Sequence, residues 1–211
     1  MAAQDTRQIA PDEPPDTSVP PPRRRSRSLD AAIEIVTTVA LAVVLYVVIQ
    51  AFVVQTYRVE MQSMEPTLLP DQHLLIDKLT PRFDNYSRGD IIVFHPPGED
   101  PSATPFIKRV IAVGGEHVAI HDGGVFINGV RLVEPYISPD GPTGPLTDQS
   151  TWDVPVGSLF VMGDHRTQSQ DSRAFGFVAV DQVVGRAWAR FWPLSGLGIL
   201  QTPTYPNIPS P

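Results

Sequence analysis

Glu116-His117-Val118-Ala119-Ile120-His121-Asp122-Gly123-Gly124-Val125-Phe126-Ile127-Asn128-Gly129 is the stretch that decides the fold. Two short runs rich in branched and aromatic side chains are each closed by residues that accept positive φ, first Asp122-Gly123-Gly124 and then Asn128-Gly129. Such runs read as strands, and such closures as tight hairpins. The reading extends outward in both directions. His73–Leu79, Asp90–His95, Phe106–Val113, Glu116–His121, Val125–Asn128, Ser158–Met162 and Val183–Trp192 share the same composition and are bounded by turn formers. No 12-residue stretch after Val54 has convincing helical periodicity. The chain beyond Val54 is therefore expected to be mainly antiparallel β, with long loops at 96–104 and 134–157.

The last of these strands has two different faces. Odd positions from Val183 to Phe191 carry Val, Gly, Ala, Ala and Phe, which suits a packed side. Even positions carry Arg186, Trp188, Arg190 and Trp192, which suits lipid headgroups or, equally, an ordinary strand with partly covered tryptophans.

Upstream the pattern changes. Ile35 to Val54 is apolar apart from Thr37, Thr38 and Gln50, and it carries no charge. As a helix its length spans roughly 30 Å, the thickness of a bilayer's hydrocarbon core. Residues 31–55 are thus expected to form a single transmembrane helix. Arg23, Arg24, Arg25 and Arg27 precede it, whereas Arg58 is the nearest positive residue after it. The arginine-rich side stays in the cytoplasm, so residues 1–30 form a disordered cytoplasmic tail and residues 56–211 lie outside. A cleavable signal sequence is the rival; the apolar stretch is too long for one, and no small-x-small site follows it.

Composition sets further bounds. The chain has 211 residues, 23 prolines, no cysteine and a formal net charge of −7. Prolines crowd residues 11–22 and 203–211, and both ends read as extended, poorly ordered tails, the second from 199 to 211. Between anchor and tail, residues 56–198 make one β-rich domain. Without disulfides, its core and sheet pairing must supply the stability. Beyond the short arginine run no basic stripe is present to track a nucleic-acid backbone, so nucleic acid is not an expected partner.

Ser63 sits just beyond the anchor, and Lys108 interrupts the apolar run Phe106-Ile107-Lys108-Arg109-Val110-Ile111. Taken singly, Ser63 reads as a helix cap or turn residue and Lys108 as a strand lysine that snorkels to solvent. Taken together, they suggest a nucleophile and its base. A hydroxyl attacks only when a neighbour takes its proton. None of the five histidines lies in a recognisable triad motif, though a histidine base stays open. An ordinary lysine is neutral in only about one molecule in two thousand at pH 7. Burial that lowers its pKa by roughly 2–3 units makes it a competent general base.

Four segments then occur in one order: Ser63-Met64-Glu65-Pro66-Thr67-Leu68; Arg88-Gly89-Asp90-Ile91-Ile92-Val93-Phe94; Ile107-Lys108-Arg109-Val110-Ile111; and Gly163-Asp164-His165-Arg166 followed by Ser169-Gln170-Asp171-Ser172-Arg173-Ala174-Phe175-Gly176. With the anchor before them, over about residues 35–195, the chain resembles the type I signal peptidases. These are membrane-anchored serine-lysine proteases that remove signal peptides from exported proteins. Lysine at position 108 is similar to the bacterial and organellar branch, since the endoplasmic-reticulum branch carries histidine there.

The resemblance implies roles residue by residue. Ser63 is the nucleophile and Lys108 the general base. Ser169 matches the serine that orients the lysine amine, and Asp171 and Arg173 a supporting ion pair. Tyr57, Val59, Met64, Leu68 and Ile107 match positions lining shallow pockets for small substrate side chains. The implied fold is a β-rich catalytic domain with a small β insertion, here near Ile120–Asp153. The implied partners are secretory preproteins, cut after Ala-x-Ala sites at the outer face of the cytoplasmic membrane, and membrane lipid. No metal or organic cofactor is implied, and the oligomeric state is left open.

Three departures stand out. Met61 occupies the place where some members carry a serine whose hydroxyl helps hold the oxyanion. His165 replaces the more usual asparagine, and Phe175 a larger aromatic; both are expected to affect packing alone. Other signals are weaker. Arg88-Gly89-Asp90 spells an adhesion tripeptide but opens an apolar strand. His117 and His121 share strand parity without a third ligand at recognisable spacing. Gly114-Gly115 is a turn signal.

Overall fold

The computed structural model describes residues 27–79, 81, 85–100 and 102–208. Arg23–Arg25, most of the expected cytoplasmic tail and residues 209–211 lie outside the described residues.

Helix α1 (Arg27–Phe52) covers the apolar stretch, starting and ending a few residues before the expected bounds. Ser28–Gln50 is long and apolar enough to cross a membrane. Its two threonines return their hydroxyls to carbonyls one turn earlier, Thr37 Oγ1 to Ile33 O at 2.9 Å and Thr38 Oγ1 to Glu34 O at 2.8 Å. The polar groups inside the apolar run are thus satisfied within the helix itself, as hydrocarbon surroundings demand.

The rest is β. The strands are β1 (Val54–Arg58), β2 (His73–Asp77), β3 (Ile91–Phe94), β4 (Phe106–Val113), β5 (His117–His121), β6 (Gly124–Ile127), β7 (Val130–Arg131), β8 (Thr151–Asp153), β9 (Ser158–Met162), β10 (Val178–Ala179), β11 (Val183–Trp192) and β12 (Gly198–Ile199). The larger sheet runs β1-β2-β11-β3-β4-β9-β10, with β12 beside β11; the smaller runs β7-β6-β5-β8. Every pairing is antiparallel. Asp122, Gly123, Asn128 and Gly129 hold the positive φ that the two tight turns of the smaller sheet need. The larger sheet curls. β1 and β4 stand four strands apart, yet the Tyr57 hydroxyl donates to the carbonyl of Pro105, just before β4.

Two apolar clusters matter for position. One joins the sheets: Ile111, Ala112, Phe160 and Met162 of the larger pack with Val118, Ile120, Val125, Ile127 and Trp152 of the smaller. The other lies inside the curl and gathers Val59, Met64, Leu68, Leu74, Ile76, Ile91, Val93 and Ile107. Each fully buried Val, Leu, Ile, Met or Phe among them stabilises the fold by about 1.5–3 kcal/mol.

Two segments differ from expectation. The stretch 134–157 is not wholly loop, because Thr151–Asp153 pairs with β5 and starts the smaller sheet's fourth strand. The C-terminal stretch through Ile208 is packed rather than trailing: Gly198–Ile199 pairs with β11 and Ile208 is buried in the shared core. Proline content marks an extended backbone, and an extended backbone can lie along a surface as well as leave it.

Candidate active site

β4 is an inner strand, hydrogen-bonded to β3 on one side and β9 on the other, and its middle six residues are all buried. Lys108 (0 % exposed) and Arg109 (1 %) point to opposite faces, so one strand buries two consecutive cations. Ser63 lies in a 3-10 turn, Gln62–Met64, that enters from the segment after β1. The Lys108 Nζ donates to Ser63 Oγ at 2.7 Å. Ser63 is 3 % exposed, and its carbonyl accepts the main-chain N–H of His165 at 3.0 Å.

The amine is electrostatically unusual. Burial pushes its pKa down to about 8, outweighing the attraction of Asp171 and Asp164. At that value about one lysine in ten is neutral at pH 7, against about one in two thousand for an ordinary lysine. A neutral amine at hydrogen-bonding distance can accept the serine proton, which is the requirement for activating the hydroxyl.

Gly163, at the end of β9, makes the arrangement possible. A Cβ there would overlap Ser169 Oγ and the Ser63 carbonyl. Ser169 is 6 % exposed, and its Oγ is buried without a hydrogen-bond partner, so the expected bond to the lysine amine is not made in this state. Asp171 accepts the Gly163 N–H at 3.1 Å and takes Arg173 through Nε and Nη2, both at 2.8 Å. Arg173 in turn donates to the carbonyls of Arg166 (2.7 Å) and Gly144 (2.9 Å). The pair braces the backbone around Gly163.

Tyr57, Val59, Met64, Leu68 and Ile107 come together in the cluster inside the curl, with Tyr57 packed against its edge. Burial pushes the Tyr57 hydroxyl up to about 12, so it remains a donor to Pro105. A cavity of about 790 Å³ lies elsewhere, lined by Arg88, Val113, Ser158, Thr202 and Tyr205 among others and by neither dyad residue.

Several residues were not singled out from sequence. Arg109 binds Asp164 through Nε (2.9 Å) and Nη2 (2.7 Å), and Asp164 accepts the Thr67 hydroxyl at 2.6 Å. Arg166 donates to Glu134 at 3.0 Å and, through Nε, to the Gly163 carbonyl at 2.9 Å. The available signal was the pair Lys108-Arg109 inside an apolar strand, where alternation must bury at least one cation. His165 is buried with its Nε2 2.8 Å from Asp140 Oδ2 and its Nδ1 3.9 Å from Glu65 Oε2, although neither ring nitrogen is aligned for a hydrogen bond. Phe175 packs against Phe94 and Phe106. The tripeptide Arg88-Gly89-Asp90 is inward-facing, with side chains of Arg88 and Asp90 7 % and 3 % exposed. His117 pairs with Asp153 and His121 with Asp122, and among the described residues no three metal-ligating side chains gather.

A family model described as "Signal peptidase, peptidase S26" matches residues 32–192. A signal peptidase I of Leptolyngbya laminosa is 41 % identical over 175 residues, covering 80 % of this chain and 83 % of that protein. One from Bacillus caldolyticus is 37 % identical over 163 residues, covering 72 % and 87 %. Signal peptidase IB of Staphylococcus aureus is 31 % identical over 177 residues, covering 77 % and 91 %. A crystal structure of a signal peptidase I from Enterococcus faecalis V583 is 34 % identical with a TM-score of 0.41, covering 49 % of this chain and 97 % of that one. Matched along most of its own length and most of theirs, this chain belongs to the signal peptidase family, peptidase S26, and is a serine peptidase that removes signal peptides.

Proposed function

We propose that the chain cleaves preproteins with a Ser63–Lys108 dyad, held by α1 at the outer face of the cytoplasmic membrane. The observation that carries this reading is the 2.7 Å contact between Nζ and Oγ in a buried setting that favours the neutral amine. Lys108 takes the Ser63 proton as Oγ attacks the scissile carbonyl. Collapse of the tetrahedral intermediate breaks the C–N bond, and Lys108 returns the proton to the leaving amine. Water, deprotonated by the same lysine, then attacks the ester and releases the signal peptide's carboxylate.

Met61 offers no hydroxyl to the developing oxyanion, and its side chain is half exposed. Stabilisation therefore rests on the Ser63 main-chain N–H together with water or another group; one missing donor costs about 3 kcal/mol where nothing replaces it. The signal peptide's end is proposed to add as a strand beside Ile107 and the segment before Ser63. Its small side chains one and three residues before the cut would meet Tyr57, Val59, Met64, Leu68 and Ile107. Arg23–Arg25 and Arg27 favour a cytoplasmic N-terminus. Half-exposed Trp188 and Trp192, with exposed Leu194, Leu197 and Ile199, suit contact with lipid.

Incubating the detergent-solubilised chain with an Ala-x-Ala peptide, beside Ser63→Ala and Lys108→Ala, tests the dyad. Cleavage by the wild type and its loss in both variants is expected; full activity in either variant removes that residue from the mechanism. Protease protection in oriented vesicles tests the topology, and digestion of the β domain from the cytoplasmic side would overturn it.

A further inference from the structure

The segment after β12 is a strap. Thr202 Oγ1 donates to Asp90 Oδ1 at 3.2 Å, and Arg88 Nη2 donates to the Ile208 carbonyl at 2.8 Å. Between these ties Pro203 lies on Gly89 so closely that a Cβ there would stand 2.9 Å from Pro203 Cδ. Both ends of the strap are therefore held by the Arg88-Gly89-Asp90 turn. That turn bonds Val110 in both directions, Gly89 N–H to Val110 O and Val110 N–H to Asp90 O, each at 2.8 Å. Its Gly89 carbonyl also accepts Arg109 Nη1 at 2.9 Å. The strap thus bears on the backbone two residues from Lys108.

Tyr205, half-buried at the strap's centre, reaches the dyad by a second path. Its Oη lies 3.0 Å from the Oη of Tyr136. The Tyr136 hydroxyl also reaches Glu134 at 3.2 Å, and either hydroxyl can donate in the bond between the two tyrosines. Glu134 holds Arg166, and Arg166 holds the carbonyl of Gly163, the residue against which Ser63 and Ser169 pack. The Tyr136 ring also lies 4.0 Å from the Arg109 guanidinium carbon, and Arg109 grips Asp164 and through it Thr67 in the nucleophile's own segment. Burial raises the pKa of both tyrosines, so the hydroxyl chain stays protonated throughout the working range.

We propose that Tyr205 is a positioning residue for the Ser63–Lys108 pair, holding Tyr136 where Arg109 and Arg166 keep the two dyad segments in register. This rests on the dyad assigned above. Loosening the strap should let the segments drift and water reach the lysine, while substrate contacts stay intact.

The test uses the full chain labelled with 13Cε-lysine, which carries two lysine signals, Lys78 and Lys108. Wild type, Tyr205→Phe and Tyr205→Ala are compared in kcat, in KM for an Ala-x-Ala peptide and in the titration midpoint of Lys108. Rates are normalised to the active sites counted with a serine-acylating inhibitor. Loss of one buried hydroxyl bond in Tyr205→Phe is expected to lower kcat about fivefold. In Tyr205→Ala the fall is larger, KM stays within about twofold, and the Lys108 midpoint moves upward while Lys78 does not. Unchanged kcat per active site in both variants overturns the proposal, as does a fixed Lys108 midpoint in Tyr205→Ala. If Tyr205→Ala does not fold, Tyr205→Phe decides alone through kcat per active site. Cleavage surviving in Ser63→Ala would instead sink the dyad assignment, whatever Tyr205 does.

Discussion

Lys108 costs the fold stability, and that cost is measurable. Its pKa is about 8 in the folded chain against an ordinary 10.5. Between those values the unfolded chain holds a proton that the folded chain lacks, so native stability rises with pH across that window. Below pH 8 the penalty is complete, on the order of 3 kcal/mol. Lys108→Met keeps the volume and removes the charge. It is expected to abolish cleavage yet raise the melting temperature at pH 6, with the gain fading between pH 8 and 10.5. A variant no more stable than wild type at pH 6 would mean that the amine is solvated. The same pKa sets the rate profile: cleavage should rise with pH to a plateau above about 8. Gly163 is the steric counterpart. Gly163→Ala pushes Ser63 and Ser169 apart, and a displacement near 1 Å costs about a hundredfold in kcat. Equal kcat per titrated active site would show that the site can absorb a methyl group.

At the scale of elements, β4, β9 and β11 were legible to the residue because each is an apolar run closed by turn formers. The two-residue strands β7, β10 and β12 were not, since nothing local distinguishes them and their partners alone make them strands. β1 was hidden for another reason: Val54 continues the apolarity of the helix before it. The proposed dyad and the Asp171–Arg173 pair were legible as a resemblance, whereas the Arg109–Asp164 and Arg166–Glu134 pairs were not. Period-two alternation would send one of Lys108 and Arg109 to solvent in a half-exposed strand; both are inside because β4 is covered on both faces, Lys108 meeting Ser63 and Arg109 meeting Asp164 from 55 residues away. That pair has an asymmetric worth. Asp164→Asn strands a buried guanidinium and should destabilise by about 3–5 kcal/mol, whereas Arg109→Met with Asp164→Leu should cost far less. Urea denaturation of the single and double variants gives the comparison; additive losses would mean that the two side chains stand independently.

At the scale of the molecule, the two sheets are not separate folding units, because one core belongs to both. Phe160 and Met162 of β9 touch the same cluster as Val118, Ile127 and Trp152 of the smaller sheet, with Trp152 and Phe160 ring centroids 5.0 Å apart. The strap adds Ile208 to that cluster from the far end of the chain. A defect in the smaller sheet should therefore be felt at the proposed dyad. Ile127 is fully buried there, and Ile127→Ala leaves a cavity that costs about 2–5 kcal/mol. If the core is shared, heating this variant gives one transition, lower than wild type, at which the β signal in circular dichroism and cleavage activity disappear together. If the sheets fold separately, the variant loses part of its signal early and keeps cleaving until a second, unshifted transition. Near-ultraviolet dichroism in a Trp188→Phe, Trp192→Phe background, where Trp152 is the remaining tryptophan, followed alongside activity over the same ramp, separates the two cases.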